Sequence, residues 1–246
     1  MSSLPERVQN HLLAALPEPV RSRLICQLES VDLPAGKVLY ESGGRLSHVH
    51  FPTTLIASIL YVTENGSSTQ IAAVGREGVV GIASFMGGGS AISCGVVQSG
   101  GSALRCRPQV LLDEFNRGGP LLELMLRYTQ ALITQTAQTA VCNRHHTLDQ
   151  QLCRWLLLSL DRLHSNEIVM THEFIANLLG VRREGVTEAA GRLQLAGVIS
   201  YKRGRITVVD RDGLEQRSCE CYGVVRREYD RLLPLPAMPD LNRYAA

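Results

Sequence analysis

Aromatic side chains are scarce, at 5% of the 246 residues, so any core has to be assembled mainly from Leu, Val, Ile and Ala. No apolar run reaches the ~18 residues that a membrane-spanning helix needs, which excludes a helical membrane protein. The opening stretch MSSLPERVQNHLLAALPEPV lacks a basic start, a long apolar segment and a cleavage site. Secretion is therefore not expected, and a cytoplasmic location is. The seven cysteines are odd in number and lack the spacing of a disulfide framework, which suits reduced thiols. Catalytic constellations are missing too. There is no nucleophile–base pair and no pair of acids at useful spacing, and the Gly run at 87–89 lacks the Lys of a phosphate-binding loop. No enzyme is expected. A strong charge of either sign is also absent, the formal net charge being +2.

What is present is ordinary globular composition, 45% hydrophobic and 20% charged, in a chain long enough for one or two domains. Residues 1–30 carry apolar positions at helical spacing, with Leu12, Leu13, Val20, Leu24, Ile25 and Leu28 recurring every three or four. From Val31 the pattern changes to short strand-like runs separated by Gly-rich turns: HVHF, ASILYVT, TQIAAVG, CGVVQS and SALRC. Asn65-Gly66 between two of them predicts a two-residue hairpin turn with both residues at positive φ. Such a series, without intervening helices, predicts an antiparallel roll or barrel.

Helix returns near Pro108. Pro120 then opens a stretch of roughly 25 residues free of further Pro or Gly, and Pro is pre-organised for a first helical position. Leu121, Met125, Tyr128 and Leu132 step by four, three and four, a coiled-coil-like seam whose simplest partner is a second copy of the same helix. NRHH (143–146) reads as a hinge before a further amphipathic helix, TLDQQLCRWLLLSLDRL. The expected organisation is a helical and roll domain over 1–119, a dimerisation helix and hinge over 120–144, and a second domain over 145–246.

The second domain holds THEFIANLLGVRREGVTEAAGRLQLAG (171–197). Thr171 suits an N-cap, Glu173 favours the first turn, and Phe174, Ile175, Leu178 and Leu179 supply a buried face. Gly180 is placed to end this helix at positive φ. A second helix over 182–196 turns Val186, Ala190 and Leu193 inward, leaving Arg183, Glu184, Thr187 and Glu188 outward. Two short helices about a tight turn predict a helix-turn-helix, whose second helix fits a major groove. Arg can meet guanine O6 and N7 together, and Thr can meet a phosphate or a thymine methyl. The following GVISYKRGRITVVD predicts a hairpin with Lys202, Arg203 and Arg205 at a basic tip. Between Thr171 and Val209 six basic residues face three acidic ones. The candidate DNA contacts are Thr171, His172, Arg182, Arg183, Glu184, Thr187, Glu188, Lys202, Arg203 and Arg205. The alternative is a sensory or protein-interaction module whose winged domain docks a protein, an option supported by the two acids on the exposed face.

This order of roll, long helix, hinge and winged helix-turn-helix resembles the cyclic-AMP receptor/FNR (CRP/FNR) family of bacterial transcription regulators, over about Leu24 to Leu214. The resemblance implies an α+β chain: an N-terminal antiparallel β-roll of the cyclic-nucleotide-binding jelly-roll type, a long dimerisation helix and a C-terminal winged helix-turn-helix. It implies a homodimer on palindromic double-stranded DNA, with RNA polymerase as a further partner. Arg183 and Glu184 fall on the family's Arg-Glu pair, in which Arg reads guanine and Glu reads cytosine. Arg182 stands where members usually have Ser or Thr, and Glu188 where many have a second base-reading Arg, so the half-site is expected to differ from the family's best-known one.

In the family's nucleotide pocket a Gly-Glu pair precedes Arg-Ser/Thr-Ala. Here Gly81 is kept, Ile82 takes the Glu position and Ile92 the Arg position, Ser93 remains, and Cys94 replaces Ala. Thr136, in TQTAQT, falls where members touch the base, but the small polar residues of that stretch read rather as positions in the helix seam. An anionic phosphate without a cation is costly to bury, so cyclic AMP and cyclic GMP are not expected to bind. A neutral small-molecule effector, or none, is expected. Only Cys26 lies in the first 90 residues, which excludes the family's N-terminal iron–sulfur cluster. Cys142, His145, His146 and Cys153 surround the hinge with donors able to hold zinc or haem, and His48 and His50 share a strand face. These read instead as hinge polars and buried thiols, and Cys219-x-Cys221 as a free pair, so no metal or other cofactor is expected.

Overall fold

The computed structural model describes residues 9–87, 89–163 and 165–233. Helical character in the first thirty residues resolves into α1 (His11–Ala15) and α2 (Glu18–Ile25), with residues 1–8 outside the described residues. Asn10 caps α1, its side chain accepting from the Leu12 and Leu13 amides, and Pro17 sits between the two helices as the N-cap of α2.

Seven strands then form the roll: β1 (Glu29–Leu33), β2 (Val38–Tyr40), β3 (Val49–Pro52), β4 (Ile56–Val62), β5 (Ser68–Val74), β6 (Cys94–Ser99) and β7 (Gly101–Cys106). They pair antiparallel in two sheets, ordered β1-β7-β3 and β2-β6-β4-β5. A single 3-10 turn, Ile82–Ser84, interrupts the series. The β4–β5 connection differs from the two-residue turn expected. Thr63 to Ser67 form a longer loop in which only Gly66 has positive φ (83°). The Asn65 side chain organises it by accepting from the Thr63 hydroxyl (2.6 Å) and the Ser67 amide (3.1 Å), an Asx turn that does not require positive φ at Asn65.

After α3 (Pro108–Asn116) comes the long helix α4 (Pro120–His145), 26 residues with Pro120 in its first turn. The seam read from its sequence has a different partner from the one expected. Leu121, Met125, Tyr128 and Leu132 are buried within this chain, in one core with Phe51, Leu55 and Leu104 of the roll. Tyr128 fixes the approach. Its hydroxyl donates to the Val79 carbonyl at 3.0 Å, and a Cβ at Gly78 would come within 2.6 Å of that hydroxyl oxygen. The apolar steps are thus explained by an intrachain contact, each large buried side chain contributing roughly 2 kcal/mol. The opposite face of α4 shows Leu126 (53% exposed), Ile133 (55%) and Val141 (44%) to solvent.

The hinge is narrower than the NRHH segment. The helix runs through His145, and Thr147 already caps α5 (Leu148–Leu160) in a capping box with Gln150. A strand not expected from the sequence, β8 (Glu167–Val169), follows. Then come α6 (His172–Leu179), α7 (Arg183–Leu195), β9 (Ile199–Lys202), β10 (Arg205–Val208), α8 (Arg211–Arg217) and α9 (Glu220–Leu232). The wing is a three-stranded sheet ordered β8-β10-β9. It joins α5, α6 and α7 in a second core that includes Trp155, Leu156, Ile175, Val186, Leu193 and Ile206.

Polar contacts hold this winged lobe against the roll. The Trp155 indole donates to Gln70 Oε1 (2.9 Å) and the Gln98 amide to Ser159 Oγ (3.1 Å). Gln70, Gln98 and Ser58 are themselves hydrogen-bonded and buried. Beside them, Arg162 Nε meets Glu77 Oε1 at 2.7 Å, both side chains being largely shielded. None of the described helices is long and apolar enough to cross a membrane.

Candidate nucleic-acid interface

Local chemistry builds the two-helix unit. The Thr171 hydroxyl accepts from the Phe174 amide (3.2 Å) and so starts α6. Gly180, at φ 68°, ends it, as the sequence pattern requires. The roll also presses on this residue: a Cβ there would lie 2.6 Å from Thr69 Oγ1. Ile175, Leu178 and Leu179 are buried and Phe174 is half-buried. Arg182 is the N-cap of α7 rather than its first residue, and its side chain makes no capping bond. Val186, Ala189, Ala190 and Leu193 turn inward, whereas Gly191 is exposed with open space beside it and takes no part in close packing.

Arg182, Arg183, Glu184, Thr187 and Glu188 are all exposed along one end of α7. The wing tip stands beside them. Arg203 (φ 48°) and Gly204 (φ 77°) form the turn, and Lys202 and Arg205 pair across it as strand residues. Both turn residues at positive φ match a type I′ hairpin. Between helix and wing lies an open groove lined by Thr171, Arg183, Thr187, Gln194, Tyr201 and Arg203, among others.

Charge on this face is unevenly committed. Arg205 is ion-paired with Glu167 of the neighbouring strand β8. Arg192 forks onto Asp149 at 2.6 and 2.8 Å and approaches Glu188 at 3.9 Å. Among the described residues, Arg182, Arg183, Lys202 and Arg203 form no ion pair with a carboxylate. Those four guanidinium and ammonium groups are the ones open to an external anion.

His172 is placed differently from the exposed contact the sequence suggests. It is buried, its ring stacks on Tyr201 (centroids 4.0 Å apart), and Nδ1 lies 3.0 Å from Thr187 Oγ1. The Thr187 hydroxyl donates to the Arg183 carbonyl (3.1 Å), which leaves the ring N–H as donor in the histidine contact. Burial, with help from the Arg183 charge, lowers the His172 pKa and so disfavours the charged ring. His172 therefore fastens α6 to α7 and the wing, and holds Thr187 from behind.

Residues 150–217 match the Crp-like helix-turn-helix domain. This chain carries a Crp-like helix-turn-helix domain. The matched segment runs from α5 through the wing to α8, so the Crp-like domain includes the groove just described. Solved structures share the wider fold. FixK2 from Bradyrhizobium japonicum superposes with a TM-score of 0.66 at 15% identity, covering 78% of this chain and 98% of that one. TTHB099, a CRP-family transcriptional regulator from Thermus thermophilus, gives 0.64 at 15% identity, covering 76% and 96%. TTHA1359, a CRP/FNR-family regulator from the same organism, gives 0.57 at 20% identity, covering 77% and 98%. No curated protein sequence matches the chain at a significant level. The roll, long helix and winged lobe are thus the fold of CRP/FNR regulators.

The roll of this fold holds a cavity of 430 Å³ lined by Tyr40, Ile59, Gly81, Ile82, Ser93 and Thr136, among others. Tyr40 and Ser93 are hydrogen-bonded to each other at 3.2 Å, and the Thr136 hydroxyl donates to the Leu132 carbonyl (2.8 Å). Gly81, at φ 107°, occupies a backbone conformation that strains other residues. No charged residue is among its described lining residues. Two expected pocket residues lie elsewhere. Ile92 is 72% exposed. Cys94 is buried in the core shared with Leu152 and Trp155, with Sγ 3.8 Å from Glu41 Oε2. Alternation along β6 separates Cys94 from Ser93, which precedes the strand and faces the cavity.

The hinge donors also regroup. Cys153 is buried within the Crp-like domain's core, His145 is exposed, and Cys142 and His146 meet Cys219 and Cys221 instead. His50 is buried in β3, while His48 precedes that strand, with ring centroids 6.2 Å apart.

Proposed function

We propose that this chain is a transcription regulator of the CRP/FNR type that binds a palindromic DNA site as a homodimer, without control by cyclic AMP or cyclic GMP. The observation that carries this reading is the N-terminal turn of α7. It exposes Arg183, Glu184 and Thr187 next to a wing tip with Lys202 and Arg203, and no carboxylate among the described residues neutralises these cations. Arg183 and Glu184 are assigned to base edges, with Thr187 beside them, and Arg182, Lys202 and Arg203 to phosphate. Glu188 is assigned to a cytosine amine. Thr171, exposed at the edge of the groove, is assigned to phosphate, His172 supports the reading helix from behind, and Arg205 shares its charge between Glu167 and the backbone of the duplex.

The dimer contact belongs to the outer face of α4, where Leu126, Ile133 and Val141 are exposed. Ile133 and Ala137 also line the roll cavity, so a second copy lying along α4 would cover its mouth. That arrangement couples an occupant of the cavity to the spacing of the two winged lobes. A cavity without charged lining suits a neutral, largely apolar effector, and offers no cation to a cyclic phosphate. RNA polymerase is the partner implied for such a regulator.

Selection of bound fragments from a random duplex pool tests the reading. The expected product is a palindrome with half-sites one helical turn apart, about 10 base pairs centre to centre. A pool that emerges without enrichment would favour the rival reading, in which the winged lobe docks a protein through Glu184 and Glu188.

A further inference from the structure

At the far end of α4 from the roll core, three cysteines and a histidine converge from two helices. Cys142 and His146 stand one turn apart at the end of α4, Cys219 is the N-cap of α9, and Cys221 lies in its first turn. Their donor atoms all lie within 4.8 Å of one another. Cys142 Sγ is 3.5 Å from Cys219 Sγ, and Cys221 Sγ is 3.6 Å from His146 Nδ1. In a tetrahedral site with bonds of about 2.3 Å to sulfur and about 2.0 Å to nitrogen, two sulfurs sit about 3.8 Å apart, and sulfur and nitrogen about 3.5 Å. The two observed separations match that geometry. They do not match a disulfide, whose sulfurs sit about 2.0 Å apart.

We propose that Cys142, His146, Cys219 and Cys221 bind one zinc ion, closing a structural site that fastens the hinge end of α4 to α9. Three soft sulfur donors and one imidazole are a zinc-type set, and four protein ligands leave no open position for catalysis. The surroundings fit as well. The three cysteines are buried together as a cluster of their own. The histidine turns Nδ1 inward and sets Nε2 3.3 Å from Glu220 Oε2, the carboxylate–histidine arrangement that orients a metal-bound ring. Gln151 braces the same turn by donating to the His146 carbonyl at 2.9 Å. Two of the sulfurs sit at the N-terminus of a 13-residue helix, where the dipole favours thiolate. Three thiolates around Zn²⁺ leave one net negative charge, and a buried cation stands nearby: the guanidinium of Arg154 donates to Thr139 Oγ1 at 2.6 Å, in the turn of α4 before Cys142.

This site is independent of the DNA reading, since no ligand belongs to α7 or the wing. The test uses the reduced full-length chain. Metal analysis of protein produced with zinc should return one zinc per chain. Cobalt(II) added to the chelator-stripped protein should give the intense red-region bands of a tetrahedral thiolate site, and zinc(II) should bleach them. Cys219→Ser and His146→Asn should lose the ion, while Cys153→Ser keeps it. Glu220→Gln should weaken zinc affinity about tenfold. Should the cysteine variants fail to fold, the cobalt spectrum of the unaltered chain remains decisive. No cobalt bands in reduced protein, bands that survive Cys219→Ser, or a Cys142–Cys219 disulfide in protein kept free of oxygen would each overturn the proposal.

Discussion

The roll cavity and the winged face are opposites in chemistry. The cavity is lined by aliphatic and hydroxyl-bearing side chains, and no charged residue is among its described lining. The winged face is open and carries Arg182, Arg183, Lys202 and Arg203 without carboxylate partners among the described residues. A polyanion finds counter-charges on the second and none in the first. The difference teaches what each region can hold. Outside, exposed cations can exchange counterions for phosphates at little desolvation cost. Inside, an unpaired charge would have to be stripped of water, which favours a neutral occupant.

The outer face of α4 lies between these two regions, and breaking it should have the largest effect. Leu126→Glu places a charge on the exposed stripe without touching the described cavity lining. It should convert dimers to monomers in sedimentation and, with only one half-site engaged, abolish tight operator binding. A dimer that persists would move the interface elsewhere. The cavity should contribute the smaller effect. Calorimetric titration with cyclic AMP or cyclic GMP should show no saturable heat, and micromolar affinity for either would break the contrast between a neutral interior and a cationic exterior.

How much of this is legible in the sequence depends on the range of the contacts. Helix-turn-helix and wing are local: Thr171, Gly180 and the Arg203-Gly204 turn each act on neighbours in the chain, and their patterns lead to the observed elements. The strand runs of the roll are legible for the same reason. The α4 seam is legible as apolar but not as to its partner, because periodicity records that a face is buried and not against what. Leu121, Met125, Tyr128 and Leu132 meet the roll, and the sparser stripe of Leu126, Ile133 and Val141 is hidden in the pattern beside them. His172 reads as an outward residue because nothing adjacent in sequence shows that Tyr201 and Thr187 cover it. The sulfur cluster is out of reach for the same cause. Cys142 and Cys219 are 77 residues apart, and only the packing of α9 on α4 brings them together. The available signals are the Cys142 and His146 donors at the hinge and the Cys-x-Cys spacing at 219–221, which taken separately read as hinge polars and a free pair.

The proposed sequence-specific reading of DNA is tested most directly at Arg183, whose side chain is exposed and whose loss leaves the core untouched. Equilibrium affinity of Arg183→Ala should be compared with that of the unaltered chain, on the selected palindrome and on a scrambled duplex at one salt concentration. The account predicts a loss of about 1–3 kcal/mol on the palindrome and far less on the scrambled sequence. An equal change on both, or no change on either, would contradict it.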